Sequence, residues 1–333
     1  MKRAGLLTMG VLFLTACGAE NNENSGGLND NGAENNENTE GLNENVGESN
    51  EADAEGNEAE AAGDTLQVTA SFSVIADFVE QVGGDHVEVD YIVPRGEEPE
   101  EHEPTPGNFQ TVADSEAFFV NGMGLESWLQ SLMDNASETE AVELADGIDG
   151  IALEESDAED PHAWLNPQNV EIYVENIKEK LIELNPEAEA DFEANAEAYL
   201  EEISELDAWI EEELSAVPEE HRFLTISEDA LVYFGERYDF DTAGIWELNS
   251  HEEGTPSQIS GMVDEVQERG VPYVFVESTV SPNYMETVSE NADVPIYEDM
   301  LYTDGIGEDD TGISSYVDMM EHNTEAIRSA LGE

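Results

Sequence analysis

The chain has 333 residues, 81 of them acidic against 9 basic, for a formal net charge of −72. So few cations cannot form a patch that neutralises phosphates, which excludes a nucleic-acid binder. The single cysteine, Cys17, excludes a disulfide framework and any cysteine-based zinc cage. Hydrophobic residues still make up 39% of the chain, enough for a core, and the length suggests two domains or one two-lobed domain.

Residues 1–16 read as a lipoprotein signal peptide. Lys2 and Arg3 precede an apolar run, 4–16, that is too short to span a bilayer and has the charged start and small-residue end of a secretory signal. Leu14-Thr15-Ala16-Cys17 resembles a bacterial lipobox, which implies cleavage before Cys17 and lipidation of its thiol. The mature protein is then expected outside the cytoplasm, anchored to the cell membrane by lipid alone.

Residues 17–64 follow as the lipidated cysteine and an acidic Asn/Glu/Gly linker. Segments 18–31 (GAENNENSGGLNDN) and 32–45 (GAENNENTEGLNEN) are a tandem repeat with 11 identities in 14 positions. Such a composition cannot bury enough apolar surface to offset chain entropy, so a flexible, self-repelling tether is expected.

The acidity continues beyond the tether. Residues 65–333 carry 67 acids against 7 bases, a net charge of −60. Self-repulsion of that size disfavours a compact state, and screening to about 3 Å near 1 M salt largely removes it. A protein that works in brine is expected.

From residue 65 onward, β-rich runs alternate with amphipathic stretches. Strands are expected at 66–70, 87–93, 117–121, 223–227, 242–246, 273–277 and 294–297, and helices at 74–82, 125–133, 167–184, 256–269 and 314–331. This alternation predicts an α/β fold with mainly parallel sheets covered by helices. Asn166-Pro167 and Thr255-Pro256-Ser257-Gln258 mark two helix starts by a cap, an N1 proline and, in the second, a capping-box glutamine.

Segment 186–217 differs from its surroundings. Apolar residues recur at Phe192, Ala196, Tyr199, Ile203, Leu206, Ile210, Leu214 and Val217, in steps of three and four that predict one helix about 48 Å long. The expected organisation is therefore an N-terminal α/β lobe over 65–185, a linking helix over 186–217 and a C-terminal α/β lobe over 218–333.

Ligands of open parallel sheets bind beyond the carboxyl ends of strands. The segments at those ends carry nitrogen and oxygen donors: Glu97, Glu98, Glu100, Glu101, His102 and Glu103 after the second strand, His162 after an acidic loop, Glu228 at the end of 223–227, and Asp304 after 294–297. Singly, each acid in so acidic a chain reads as a solvated side chain. His86, His221, His251 and His322 read as surface or packing residues, and Trp128, Trp164, Trp209 and Trp246 as packing, with Trp164 walling the cleft beside His162.

Taken together, DPHAWLNP (160–167), SEDALVYF (227–234), IWELNSHEEGTPSQ (245–258) and VES (276–278) give the chain its family resemblance. From about 66 to 331 it resembles the metal-binding lipoproteins of bacterial ABC importers, the zinc/manganese group that includes the pneumococcal surface adhesin. The resemblance implies two α/β lobes, a rigid connecting helix, one transition-metal site in the cleft, and an ABC permease and its ATPase as partners of a monomeric receptor.

Carried over by position, the implied ligands are His162, Glu228 and Asp304. The first ligand departs from the family pattern Asp-Pro-His-x-Tyr-Glu-Pro. Here Glu100 stands in the place of the histidine and His102 in that of the aromatic. Residues two apart in an extended loop point the same way, so His102 is favoured as the nitrogen donor. If Glu100 coordinates instead, the site holds one histidine and three carboxylates. Mn²⁺ is favoured, with Zn²⁺ and then Fe²⁺ as alternatives, because carboxylates suit manganese and Glu228 occupies a position where zinc-specific relatives carry histidine. An adhesin role and an extracellular metal-dependent hydrolase are the rival readings.

Overall fold

A computed structural model describes residues 65–133, 139–153, 158–248 and 254–332. The signal, Cys17, the repeat tether, segment 154–157 and His251 lie outside these residues.

The first half builds β1 (Leu66–Ala70), α1 (Ser73–Gly83), β2 (Val87–Tyr91), α2 (Pro106–Asp114), β3 (Ala117–Val120), α3 (Leu129–Met133) and β4 (Ala141–Glu143). The strands form one parallel sheet in the order β2–β1–β3–β4, with Leu66 opposite Val87 and Val68 opposite Ala117. All of β3, Ala-Phe-Phe-Val, is buried, the continuous apolar run expected of a parallel strand covered on both faces.

The middle and second half add α4 (Val170–Leu184), α5 (Glu189–Leu214), β5 (Phe223–Glu228), α6 (Val232–Tyr238), β6 (Asp241–Trp246), α7 (Pro256–Arg269), α8 (Asn283–Ala292) and α9 (Tyr316–Leu331). β5 and β6 pair in parallel, Phe223 opposite Asp241. The strands expected at 273–277 and 294–297 are reduced to parallel bridges, Val274 to Ile296 and Glu277 to Leu301. Pro295 has no N–H to donate to a ladder, yet its carbonyl accepts from the Val274 N–H at 3.0 Å, and Phe275 N–H reaches Thr225 O at 3.1 Å. These contacts carry the second sheet on past β5.

Helix starts follow local chemistry. Thr105, Thr255 and Ser315 cap α2, α7 and α9 with reciprocal side-chain bonds to Asn108, Gln258 and Asp318. Gly270, at φ 70°, closes α7 in the left-handed conformation that glycine adopts without strain.

The long helix is shorter than its periodicity suggests. Pro186–Ala188 forms a separate 3-10 turn, so α5 has 26 residues, about 39 Å at 1.5 Å per residue. Phe192, Ala196, Tyr199, Ile203, Leu206, Ile210 and Leu214 are all buried, against α1, α4 and α9. α5 thus joins helices from both ends of the chain in one core, while a second core gathers around β6, α7 and α8. Arg222 secures the C-terminal end of α5 by donating to Leu214 O at 2.8 Å and Val217 O at 3.3 Å, where a cation favours exposed carbonyls.

Asp77 on α1 ties α9 down by accepting the Tyr316 N–H at 2.9 Å. Burial pushes its carboxyl up from 3.8 to about 6, against the hydrogen bonds from Tyr316 and Gln81. The folded chain then binds more protons than the unfolded chain between those values, so this group's contribution is full below pH 3.8 and is lost as pH rises through 6. Asp77→Asn is expected to be more stable than wild type at pH 8 by about 1–3 kcal/mol, with the difference shrinking towards pH 4. Urea unfolding of both chains at several pH values measures this.

Candidate metal centre

Glu100 lies in the loop after β2. That loop is tied to the first sheet by Ile92 N–H to Ala70 O at 3.1 Å and Val93 N–H to Ser71 O at 2.9 Å. Trp128 Nε1 donates to Pro99 O at 2.7 Å and Ser127 Oγ to Glu100 O at 3.0 Å. With its carbonyls held on that side, the loop buries the Glu100 side chain to 7% exposure.

His162 is set by a carboxylate behind it. Asp160 Oδ1 accepts the His162 backbone N–H at 2.9 Å and lies 3.1 Å from Nδ1. A carboxylate only accepts, so the ring proton sits on Nδ1 and the Nε2 lone pair faces the opposite way. Asn121 Nδ2 holds Pro161 O at 3.0 Å, Tyr233 OH holds Asp160 O at 2.8 Å, and Trp164, 5.2 Å from the His162 ring, donates to Thr303 O at 2.9 Å.

Glu228 ends β5, with its backbone N–H bonded to Glu277 Oε1 at 2.8 Å. Glu277 is itself 2% exposed, and burial pushes its carboxyl up to about 7. Gly244 on β6 passes so close to the Glu228–Asp229 peptide that a Cβ there has no room. Asp304 has one oxygen committed: Oδ2 accepts from Thr303 Oγ1 at 2.6 Å and Thr279 Oγ1 at 3.3 Å.

The other atoms of these side chains converge. His162 Nε2 is 3.3 Å from Asp304 Oδ1 and 3.4 Å from Glu100 Oε1. His162 is fully buried and Asp304 is 2% exposed, and neither Nε2 nor Oδ1 has a hydrogen-bond partner. Donors about 2.1 Å from a shared cation stand about 3.0 Å apart in an octahedral shell and about 3.4 Å apart in a tetrahedral one. Buried donor atoms at that spacing fit a metal ion held among them.

Glu100, His162 and Asp304 form one group with donor atoms within 4.8 Å of one another, and Glu98, Glu100 and Glu228 form a second. Glu100 belongs to both, so the four elements meet through it. Burial first, then Glu100, Asp304 and Glu98, pushes the Glu228 carboxyl well above the carboxylate range. For His162, burial works downward, but Asp160, Asp304 and Glu100 outweigh it and hold the imidazole well above its usual value.

His102, favoured from the sequence as first ligand, does not converge with these groups. Its ring stands edge-on to Trp128 at 5.5 Å, with Nδ1 3.8 Å from Glu97. Glu98, two residues before Glu100, joins it in the second group instead. Sequence reasoning counted Glu98 only among the donors of its loop and gave no role to Asp160 or Glu277. Acids were too common for these to stand out. His86, His221 and His322 bond to Asp191, Leu331 O and Met300 O respectively.

Residues 68–330 match the family model described as zinc-uptake complex component A, periplasmic. The chain belongs to this zinc-uptake component A family. Within it, the manganese-binding lipoprotein MntA of Halalkalibacterium halodurans is 49% identical over 280 residues, 84% of this chain and 93% of that protein. The manganese ABC transporter substrate-binding lipoprotein PsaA of Streptococcus pneumoniae (strain TIGR4) is 36% identical over 290 residues, 84% and 94% of the two chains. The Mn-bound periplasmic metal-binding protein from Candidatus Liberibacter asiaticus superposes with a TM-score of 0.72 at 25% identity, covering 80% of this chain and all of that one. The zinc-binding protein TroA of Treponema pallidum shares the fold, with a TM-score of 0.76 at 24% identity over 80% and 99% of the two chains. The expected α/β fold is the fold of this family.

Proposed function

We propose that the chain is an extracytoplasmic receptor, anchored by a lipid on Cys17, that captures a divalent transition metal and delivers it to an ABC permease and its ATPase. Mn²⁺ is the favoured cargo and Zn²⁺ the next. Glu100, His162, Glu228 and Asp304 are the donors. The observation that carries the reading is the convergence of three buried donor atoms, with His162 Nε2 3.3 Å from Asp304 Oδ1 and 3.4 Å from Glu100 Oε1. The relatives' manganese-binding descriptions support the choice of metal.

The donor set suits capture rather than catalysis. The donors are all protein side chains, with Glu100 and Glu228 able to use both oxygens and Asp304 its Oδ1, so the shell is built from the chain rather than around an activated water. The chain is therefore proposed as a binding protein with no chemical step, acting as a monomer with the acidic tether 17–64 as its reach. Release follows when the permease draws one donor loop away. No helix among the described residues is long and apolar enough to cross a membrane.

Thermal unfolding with added metal tests capture. At a free Mn²⁺ concentration one hundred times Kd, stability rises by about 2.7 kcal/mol, a midpoint shift of about 5–10 °C. A melting curve that ignores Mn²⁺, Zn²⁺ and Fe²⁺ alike contradicts the reading.

A further inference from the structure

Zinc binds a given nitrogen/oxygen site more tightly than manganese, so a manganese receptor needs a geometric reason to keep its cargo. The loop after β2 holds one. Glu98 and Glu100 flank Pro99, whose carbonyl is fixed by Trp128, in a run of bends that follows β2. One oxygen each from Glu98, Glu100 and Glu228 lies within 4.8 Å of the others. The Thr279 hydroxyl lies against Asp304 at 3.3 Å and also against Glu98, and Glu100 is common to both groups, so Glu98 stands next to the first group through these two residues. Glu98 is half-buried, between those donors and an open cavity of about 710 Å³ lined also by Glu97, Glu101 and Thr279.

We infer that Glu98 is a fifth metal donor and the residue that sets manganese against zinc in this chain. The inference rests on the metal-receptor reading above. With Glu98 the shell holds one imidazole nitrogen and four carboxylates, and its coordination number exceeds four. Oxygen-rich shells of higher number suit Mn²⁺, whereas protein-bound Zn²⁺ is commonly satisfied by four donors. Losing this oxygen therefore weakens manganese more than zinc.

Competition titrations of the mature protein with Mn²⁺ and Zn²⁺ test this, on wild type, Glu98→Gln, Glu98→Ala, Glu97→Gln and Glu101→Gln. The two Glu98 variants are expected to lose about tenfold or more in Mn²⁺ affinity and less than about threefold in Zn²⁺ affinity, the scale of a lost contact at a metal. Glu97→Gln and Glu101→Gln remove the same charge from the same loop and are expected to leave the Mn²⁺/Zn²⁺ ratio unchanged. Equal losses for both metals, no loss in Glu98→Gln, or a ratio change of the same size in Glu97→Gln overturns the inference. Melting curves of the metal-free variants check folding, and the near-isosteric Glu98→Gln carries the test if Glu98→Ala unfolds. A wild-type chain that binds neither metal overturns the receptor reading and this inference with it. A wild type that binds, beside an unaffected Glu98→Gln, overturns this inference alone.

Discussion

Glu228→Gln is expected to lower Mn²⁺ affinity by at least about a hundredfold, beyond what outer-shell changes usually cost, while raising the melting temperature of the metal-free protein. The two effects share one cause. Burial, with Glu100 and Asp304 close by, pushes the Glu228 carboxyl far up, so the empty site strains against its own charge and a cation relieves it. A group with a raised folded-state value is most favourable to folding at low pH and loses that contribution as pH rises. Glutamine removes the liability and the donor together. His162→Ala should cost as much metal affinity but shift the metal-free melting temperature the other way, because the imidazole offsets the surrounding carboxylates. Calorimetric titration and melting of the two variants check both signs. If Glu228→Gln destabilises the empty protein, the charge argument is wrong.

Salt is expected to have the second large effect. With 67 acids and 7 bases in residues 65–333, the few ion pairs, such as Arg237 with Asp207 at 2.7 Å, neutralise little. Moving from dilute buffer to 1 M NaCl should raise the melting temperature on the order of 10 °C, the shift that roughly 3–5 kcal/mol gives a domain of this size. NaCl and KCl should act alike if screening is the cause. A midpoint that stays flat across that range removes the case for a protein adapted to brine.

Much of the fold is readable where local signals and burial agree. The 256–269 helix lies between its capping box and Gly270, and the apolar rhythm of α5 coincides with its buried face. The three-residue β4 carries too little pattern to be seen, and α2, α6 and α8 are short elements next to loops. Segments 273–277 and 294–297 have strand composition, but the proline at 295 leaves single bridges in place of a ladder.

The site is readable in part, for a different reason. His162 and Glu228 stand in motifs that carry the family resemblance, and Asp304 is named by its position within it. The choice between Glu100 and His102 turns on Trp128, a residue remote in sequence. Its indole donates to Pro99 O and receives the His102 ring at its edge, and no local rule reveals that. Glu98 is hidden by abundance: in a chain with 81 acids, one more carboxylate carries no signal until the fold places it beside two others.

Crystals grown with Mn²⁺ and measured for anomalous scattering at the manganese edge test the central claim most directly. The expected result is a single strong peak about 2.0–2.3 Å from His162 Nε2 and Asp304 Oδ1, in contact with the Glu100 and Glu228 carboxylates. A peak held by other residues, or none between His162 and Asp304 in crystals saturated with the ion, would contradict it.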